Sequence, residues 1–584
     1  MTETRQSDQN RPQNRRAWHF AWAGLFYAAM AVVFTWPLVL HMGSQFVGPV
    51  GDNIYFVWLI EWARKALFDL HISPVFVPFL NYPAGWNLAF TEITPAQLAI
   101  AIPASLVAGP YFGYNFTLLA TFCLSGLTMY IWIHHLTGSR GAALVAGMVF
   151  GFLPFHVAHF LIGHLNLTGT QWLPLFFMGL YDLLRSPRFS WKPVLLAGVS
   201  LGLVGLTSQY YLYMCILVSA VFVLVYLLRM PRRVEWLRGV WKNALGFGVV
   251  AFPLVLVSVM PFLQLSGSGA MPDRGVGYVS MYSASPTDFF LPSTDHFLFG
   301  QWVGTHFDRS LWIEGSLYIG AVALALGIVA FVRRKETRHP TLVIALVWVA
   351  AFAFVMALGT SLHWNNQTVL VNIPTFLQRW IHRTTAPIPL PSYFMFLYFP
   401  FYAKMRALMR FGLFALVATS ALAGLGAGWV LGRVRPGRRA LVTGLLVALV
   451  FLDFYPGTYT QFSDVQPRPV DAWLAPQPGA GAVAQFPFAE EVDQQQTYYS
   501  QFHGKPFIGG FFAAFEPPQY MQIKPVLDTF PSTQSAALLR KLGVAYVVVD
   551  TARYPDFAAV GKQIEALGLA QRTVQGAEVV YEWK

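Results

Sequence analysis

The sequence predicts an all-α polytopic membrane protein of about 11–13 transmembrane helices, with a small α/β domain at its C-terminal end. Three observations predict it. Charged residues make up only 11% of the 584, against a usual ~25%, while 55% are hydrophobic. Apolar runs long enough for a membrane helix recur along the first three quarters of the chain, separated by short basic tracts. Beyond residue 457 the apolar runs shorten and Pro, Gly and Gln rise.

The apolar runs lie near 18–40, 94–110, 113–136, 141–157, 167–184, 193–209, 211–229, 244–264, 316–332, 341–359, 408–432 and 440–457. The first is too long for a signal-peptide core and lacks a small-residue cleavage site, so it reads as a retained anchor. Five segments, 1–17, 185–192, 229–242, 333–339 and 433–439, hold 20 of the 39 Lys and Arg and only Glu3, Asp8, Glu235 and Glu336 as acids. The positive-inside rule places all five in the cytoplasm. Residues 1–17 then form a cytoplasmic basic tail, and 18–457 a transmembrane domain with outer loops at 41–93, 265–315 and 360–407. Residues 458–584 fall outside the cytoplasm. Twelve full spans would return the C-terminus inside, so one early segment is not a simple span. Either 94–110, short and containing Pro103, is the exception, or 53–68 inserts partway.

Within 458–584, Ala482–Phe488, Ala545–Asp550 and Glu578–Trp583 read as strands, and Gln534–Leu542 and Phe557–Leu567 as short amphipathic helices. The net charge of +12 follows from membrane topology. No basic–aromatic interleaving points to nucleic acid. Cys123 and Cys215 both lie in apolar runs and offer neither a disulfide framework nor a zinc site.

Transport proteins place ionisable residues within their spans. Here the spans are nearly free of charge, with Asp182, Arg410 and Asp453 close to span ends. Most acids before residue 458 sit in outer loops: Asp52, Glu61, Asp69, Glu92, Asp273, Asp288, Asp295, Asp308 and Glu314. Chemistry is therefore expected at the outer membrane–water boundary. No P-loop, dinucleotide fingerprint or nucleophile elbow is present, so a cytoplasmic nucleotide-sugar donor is not expected.

Asp52 stands at the start of an aromatic helix carrying Tyr55, Phe56, Trp58 and Trp62, rings that suit the membrane interface. It reads either as a helix cap or as a carboxylate able to take a proton from a hydroxyl. Lys404, Arg406 and Arg410 cluster where positive-inside bias disfavours them. A phosphate contact is one explanation, and pairing with outer carboxylates or lipid headgroups is the other. Arg379 and Arg383 are weaker candidates on the same loop. His156, His159 and His164 share one outer tip with Asn166 and Gln171, where metal binding, hydrogen bonding to sugar or phosphate, and a plain polar turn all remain open. Glu314 opens a span, as a dipole partner or as a site carboxylate.

A lone acid after the first span, an aromatic helix, many spans and a C-terminal outer domain together resemble the GT-C superfamily of membrane glycosyltransferases. The likeness is nearest to the bacterial dolichyl-phosphate-mannose protein mannosyltransferase-type and YfhO-type branch. The stretches that carry it are Gly51-Asp52-Asn53, Asn81-Tyr82-Pro83-Ala84-Gly85, Leu136-Thr137-Gly138-Ser139-Arg140, Gly163-His164-Leu165-Asn166 with Gln171-Trp172-Leu173-Pro174, Phe290-Leu291-Pro292-Ser293, Arg406 through Arg410-Phe411, and His503-Gly504-Lys505-Pro506. The resemblance implies transfer of a sugar from a polyprenyl-phosphate-linked donor to a lipid, glycan or protein outside the cytoplasmic membrane. Asp52 would be general base, with Lys404, Arg406 and Arg410 on the donor phosphate. His164, Asn166 and Glu314 would line the cavity, and Glu92 would offer a second carboxylate. Many relatives carry two adjacent acids where this chain has Asp52-Asn53, which leaves a divalent metal (Mg or Mn) open rather than required. The rival readings are a transporter or flippase of lipid-linked glycans and a non-catalytic assembly factor on the same frame.

Overall fold

A computed structural model describes residues 14–512 and 515–584. The basic tail expected over 1–17 lies, for residues 1–13, outside the described residues. The chain divides into two compact units. One comprises residues 1–41, 116–259 and 273–460, and the other 42–115, 260–272 and 461–584.

The first unit is helical. Among the described residues six helical stretches of the whole chain are long and apolar enough to cross a membrane: Pro95–Thr137, Arg140–Ile162, Gln209–Arg229, Arg233–Gly267, Pro340–Ala357 and Leu408–Arg433. Trp18–Phe34, Trp191–Thr207 and Ala321–Val332 are shorter apolar helices. The Gly412–Arg433 helix is enclosed by Ala321–Val332, Pro340–Ala357 and Arg140–Gly151. Its small residues permit that enclosure, because a Cβ on Gly426 would collide with the Leu326 carbonyl oxygen. The Arg233–Gly267 helix is the opposite case. It touches the unit along one side, where Gly198 and Gly202 receive Val250 and Leu254, and is otherwise bare.

The apolar runs 94–110 and 113–136 form one continuous helical stretch interrupted at Ala108 and Gly109, where Gly109 takes φ +85°. The arm before the break, residues 95–107, rises only about 20 Å at 1.5 Å per residue, less than the ~30 Å hydrocarbon core.

The second unit is built on a four-stranded sheet in the order Leu569–Gln575, Glu578–Trp583, Val544–Asp550, Ala482–Phe486. The first three strands are antiparallel and Ala482–Phe486 runs parallel to Val544–Asp550. Thr533–Lys541 and Phe557–Ala566 are helices, as their amphipathic pattern predicts. The early part of the chain is woven into this unit. Phe46–Val47 pairs with Phe462–Ser463. Asn81 N–H donates to the Gly509 carbonyl at 2.7 Å, and Tyr82 N–H to that of Phe507 at 3.0 Å.

The Asp52–Arg64 helix forms where the aromatic pattern predicts it, but its surroundings differ. Tyr55, Phe56, Trp58 and Trp62 are buried in the unit rather than laid on a membrane interface. Tyr55 stacks on Phe512 at 4.5 Å, Trp58 lies 6.0 Å from Trp86, and Trp62 meets Phe79 edge-on at 5.2 Å. Large rings offered this much apolar neighbouring surface gain more from a packed core than from a half-wet boundary.

Candidate functional site

In the first unit the charged outer segments converge on one buried ion pair. Arg410 sits in the short turn Leu408–Phe411 that opens the enclosed helix, and Glu314 in the segment entering the Ala321–Val332 helix. Arg410 Nε donates to both Glu314 oxygens, at 3.0 and 3.2 Å, and one of its terminal nitrogens donates as well. Both side chains are under a tenth exposed. Burial works against the Glu314 carboxylate. The charge and hydrogen bonds of Arg410 overcome that, with His159 and His164 adding to them, and hold the carboxyl well below its ordinary range. His159 and His164 join through their Nδ1 atoms at 2.7 Å, one donating and the other accepting. Asn166 is half-buried in the turn that follows.

The three clustered cations have separate fates. Arg410 is committed to Glu314, and its guanidinium also lies 5.0 Å from the Tyr210 ring centre. Lys404 pairs with the exposed Asp273 at 3.1 Å. Arg406 is half-buried, its guanidinium 5.1 Å over the Tyr282 ring, and its backbone N–H donates to the Tyr210 hydroxyl at 3.3 Å. Among the described residues no carboxylate lies within ion-pair distance of Arg406. Burial and the nearby Arg410 oppose its charge, while Tyr210, Tyr278 and Glu314 favour it, so Arg406 stays charged.

A second buried pair braces the same segment. Arg309 bonds Asp288, and its other terminal nitrogen donates to the Gly315 carbonyl at 3.0 Å, one residue from Glu314. Asp288 in turn accepts from the Ser285 N–H at 2.8 Å. Sequence reasoning noted Asp288 but missed Arg309 and Tyr210. Arg309 carried a usable signal, since it is one of two arginines, with Arg274, in a loop rich in acids. Tyr210 carried none.

In the second unit, Asp52 is the first residue of its helix and half-buried. The cap position is Gly51, and the Asn53 side chain, not Asp52, accepts from the Gly51 and Ile54 N–H groups at 2.9 Å each. The capping alternative for Asp52 thus falls to its neighbour. Glu92 is half-buried, and its carbonyl accepts from the Tyr55 hydroxyl at 3.3 Å. Burial raises the Tyr55 hydroxyl, a hydrogen bond with Thr91 lowers it, and the Glu92 and Asp52 carboxylates raise it further. Both acids therefore act on one buried hydroxyl. Among the described residues no group of three or more His, Cys, Asp or Glu stands together as a metal site.

The family described as Domain of unknown function (DUF6311) matches residues 23–423. No curated protein matches the sequence. Among solved structures, the arabinofuranosyltransferase AftD from Mycobacteria is similar over 97% of this chain and 40% of its own, at 16% identity and a TM-score of 0.57. The chain thus spans well under half the length of that protein. The oligosaccharyltransferase of Archaeoglobus fulgidus is similar over 92% of this chain and 70% of its own, at 13% identity and a TM-score of 0.52. The Archaeoglobus fulgidus AglB oligosaccharyltransferase, solved with an inhibitory peptide and a dolichol-phosphate, is similar over 98% of this chain and 75% of its own, at 12% identity and a TM-score of 0.50. These are GT-C membrane glycosyltransferases, and the chain shares their fold.

Proposed function

This multi-pass membrane protein belongs to the DUF6311 family and has the GT-C fold, and from that premise we propose that it is a glycosyltransferase using a polyprenyl-phosphate-linked sugar. The acceptor is a hydroxyl of a lipid, glycan or protein outside the cytoplasmic membrane. The N-terminus is cytoplasmic, and residues 458–584 lie on the acceptor side. The observation that supports the reading is the fold itself, matched over nearly the whole chain by an arabinofuranosyltransferase and by an oligosaccharyltransferase solved with a dolichol-phosphate.

In the proposed step the acceptor oxygen attacks the anomeric carbon. Its proton passes to the Asp52 carboxylate, the carbon–oxygen bond to phosphate breaks, and the polyprenyl phosphate leaves with the electron pair. Charge grows on the leaving phosphate, and Arg406 meets it with a guanidinium that has no carboxylate to give up first. Glu314 holds Arg410 in one orientation, with Arg309 and Asp288 bracing the segment that carries Glu314. In this reading His164 and Asn166 serve beside Arg406, and Glu92 beside Asp52. No step requires a metal.

The test is sugar release from a panel of radiolabelled polyprenyl-phosphate sugars in lipid nanodiscs, comparing wild type with Asp52→Asn. Turnover by wild type that collapses in a folded Asp52→Asn supports the reading. Equal turnover in both proteins removes Asp52 as base, and no turnover with any donor removes the transferase.

A further inference from the structure

The second unit holds a cavity that the transfer step does not use. Along the Asp52–Arg64 helix, Trp58, Glu61 and Trp62 share one face by their spacing. The helix ends in a wider turn over Lys65–Asp69. The Glu490–His503 helix packs beside it and brings up Ser500 and Gln501, and Gly504 ends that helix at φ +66°, a conformation that favours glycine. Between them lies a cavity of about 310 Å³, at the small end of the usual ligand-pocket range of roughly 300–1,000 Å³.

Its chemistry is specific. The half-buried Phe79 contributes ring surface, and Trp58 and Trp62, 1% and 2% exposed, back it from the core. The Trp62 ring is fixed, because its N–H donates to the Pro74 carbonyl at 2.9 Å. At the rim, Arg64 bridges Glu61 at 2.7 Å and Asp69 at 3.3 Å, with Lys65 beside them. Two acids and two bases cancel, so the cavity draws neither anions nor cations. It presents carboxylate acceptors, cationic donors and the two-way Gln501 amide over an aromatic floor. Adjacent hydroxyls on a sugar ring each donate and accept, and the ring's C–H face is apolar, so a neutral saccharide meets both halves of this surface.

We infer that this cavity is a saccharide subsite holding an uncharged sugar unit of the acceptor, an assignment that rests on the transferase reading above. Its position adds a length. Glu61 lies nine residues beyond Asp52 on one helix, about 14 Å along the axis at 1.5 Å per residue. One sugar ring does not span that distance. The acceptor is therefore an oligosaccharide that reacts at one end while a unit further along sits in the cavity beside Phe79.

The test uses the full-length protein in nanodiscs. The probes are neutral methyl oligosaccharides of one to five hexose or pentose units and their sulfated counterparts, titrated by saturation-transfer NMR and then assayed as acceptors. Affinity is expected to rise at least tenfold from the single sugar to the longer chains, with neutral chains preferred over sulfated ones. Gln501→Trp, which fills the cavity, erases that gain. Gln501→Ala, which only trims a half-buried side chain, weakens binding threefold or more and covers the case in which the larger variant misfolds. Affinity independent of chain length, a preference for sulfated probes, or unchanged binding in both variants overturns the subsite. Sugar release to water without acceptor reports on the transferase reading alone. Release without saccharide binding sinks the subsite only. Saccharide binding that follows the expected pattern without release keeps the subsite and sinks the transferase.

Discussion

Removing the charge of Glu314 takes from the buried Arg410 guanidinium the carboxylate that its Nε and one terminal nitrogen bond. The two side chains are 7% and 8% exposed, so solvent screens them little. Removing one partner of such a pair costs about 3–5 kcal/mol, because the charge left behind keeps its desolvation penalty. Glutamine keeps the shape and one acceptor oxygen, which places Glu314→Gln near the lower end, about 3 kcal/mol. In a unit of this size that is a fall of about 5 °C in melting temperature. The double variant Glu314→Leu/Arg410→Met removes both charges and should recover most of the loss, since apolar replacement of a whole buried pair is often neutral to within about 1 kcal/mol. The assay is thermal unfolding in nanodiscs, followed by tryptophan fluorescence. The pH dependence has a definite sign. A carboxyl held below its ordinary pKa in the folded state contributes stability that is complete above that pKa, ~4.3, and is lost as pH falls through the folded value. The difference between wild type and Glu314→Gln should therefore be flat from pH 8 to 6 and shrink below about pH 4. A single variant that melts within 1 °C of wild type, roughly 0.6 kcal/mol or less, or a double variant no better than the single, refutes the argument.

Arg406→Gln should raise the KM or Kd for donor roughly 10- to 100-fold, the worth of a charged hydrogen bond of about 1.5–3 kcal/mol, while leaving the melting temperature nearly unchanged. Gly426→Ala should destabilise by about 1–3 kcal/mol or more, because its Cβ meets the Leu326 carbonyl. Gly432→Ala on the same helix, with open space around it, should be neutral, and parallel detergent-challenge melts separate the two. Asp493 is buried in the second unit. Burial pushes its carboxyl up to about 7, against Tyr520, the Gly510 N–H and Lys524, with Glu490 adding to the rise. A raised carboxyl makes the folded state lose stability as pH climbs from about 4 toward 7. The advantage of Asp493→Asn should then grow by about 2–3 kcal/mol between pH 5 and pH 8 in denaturant titrations, and a gain that shrinks over that range contradicts it.

What could be read from the sequence was local. Val544–Asp550 and Glu578–Trp583 announce themselves through β-branched runs, and Phe557–Ala566 through a helical stripe, because those patterns depend on near neighbours. The weaving of Phe46–Val47 with Phe462–Ser463, and of Asn81 with Gly509, joins residues about 400 positions apart, and no local period records it. The buried aromatics of the Asp52–Arg64 helix show a different limit, since Trp and Tyr are enriched at membrane interfaces and in packed cores alike. In the candidate site the sequence singled out Lys404, Arg406 and Arg410 as cations where positive-inside bias disfavours them, and Glu314 by its place at the start of a span. It could not sort the cations, because that depends on which carboxylate each one meets, and Glu314 lies 96 residues from Arg410.

The Gly412–Arg433 and Arg233–Gly267 helices are both apolar, yet the first is largely buried within the protein and the second is bare along most of its length. At 35 residues it is about 52 Å long, well beyond the ~30 Å hydrocarbon core, so it tilts or projects. Bilayer thickness is therefore a variable this protein senses unevenly. Thinner or thicker membranes do work first on the bare helix, whose side chains can be exchanged for others of like hydropathy. The enclosed helix is constrained by the volume of its neighbours and is insulated from the lipid composition around it.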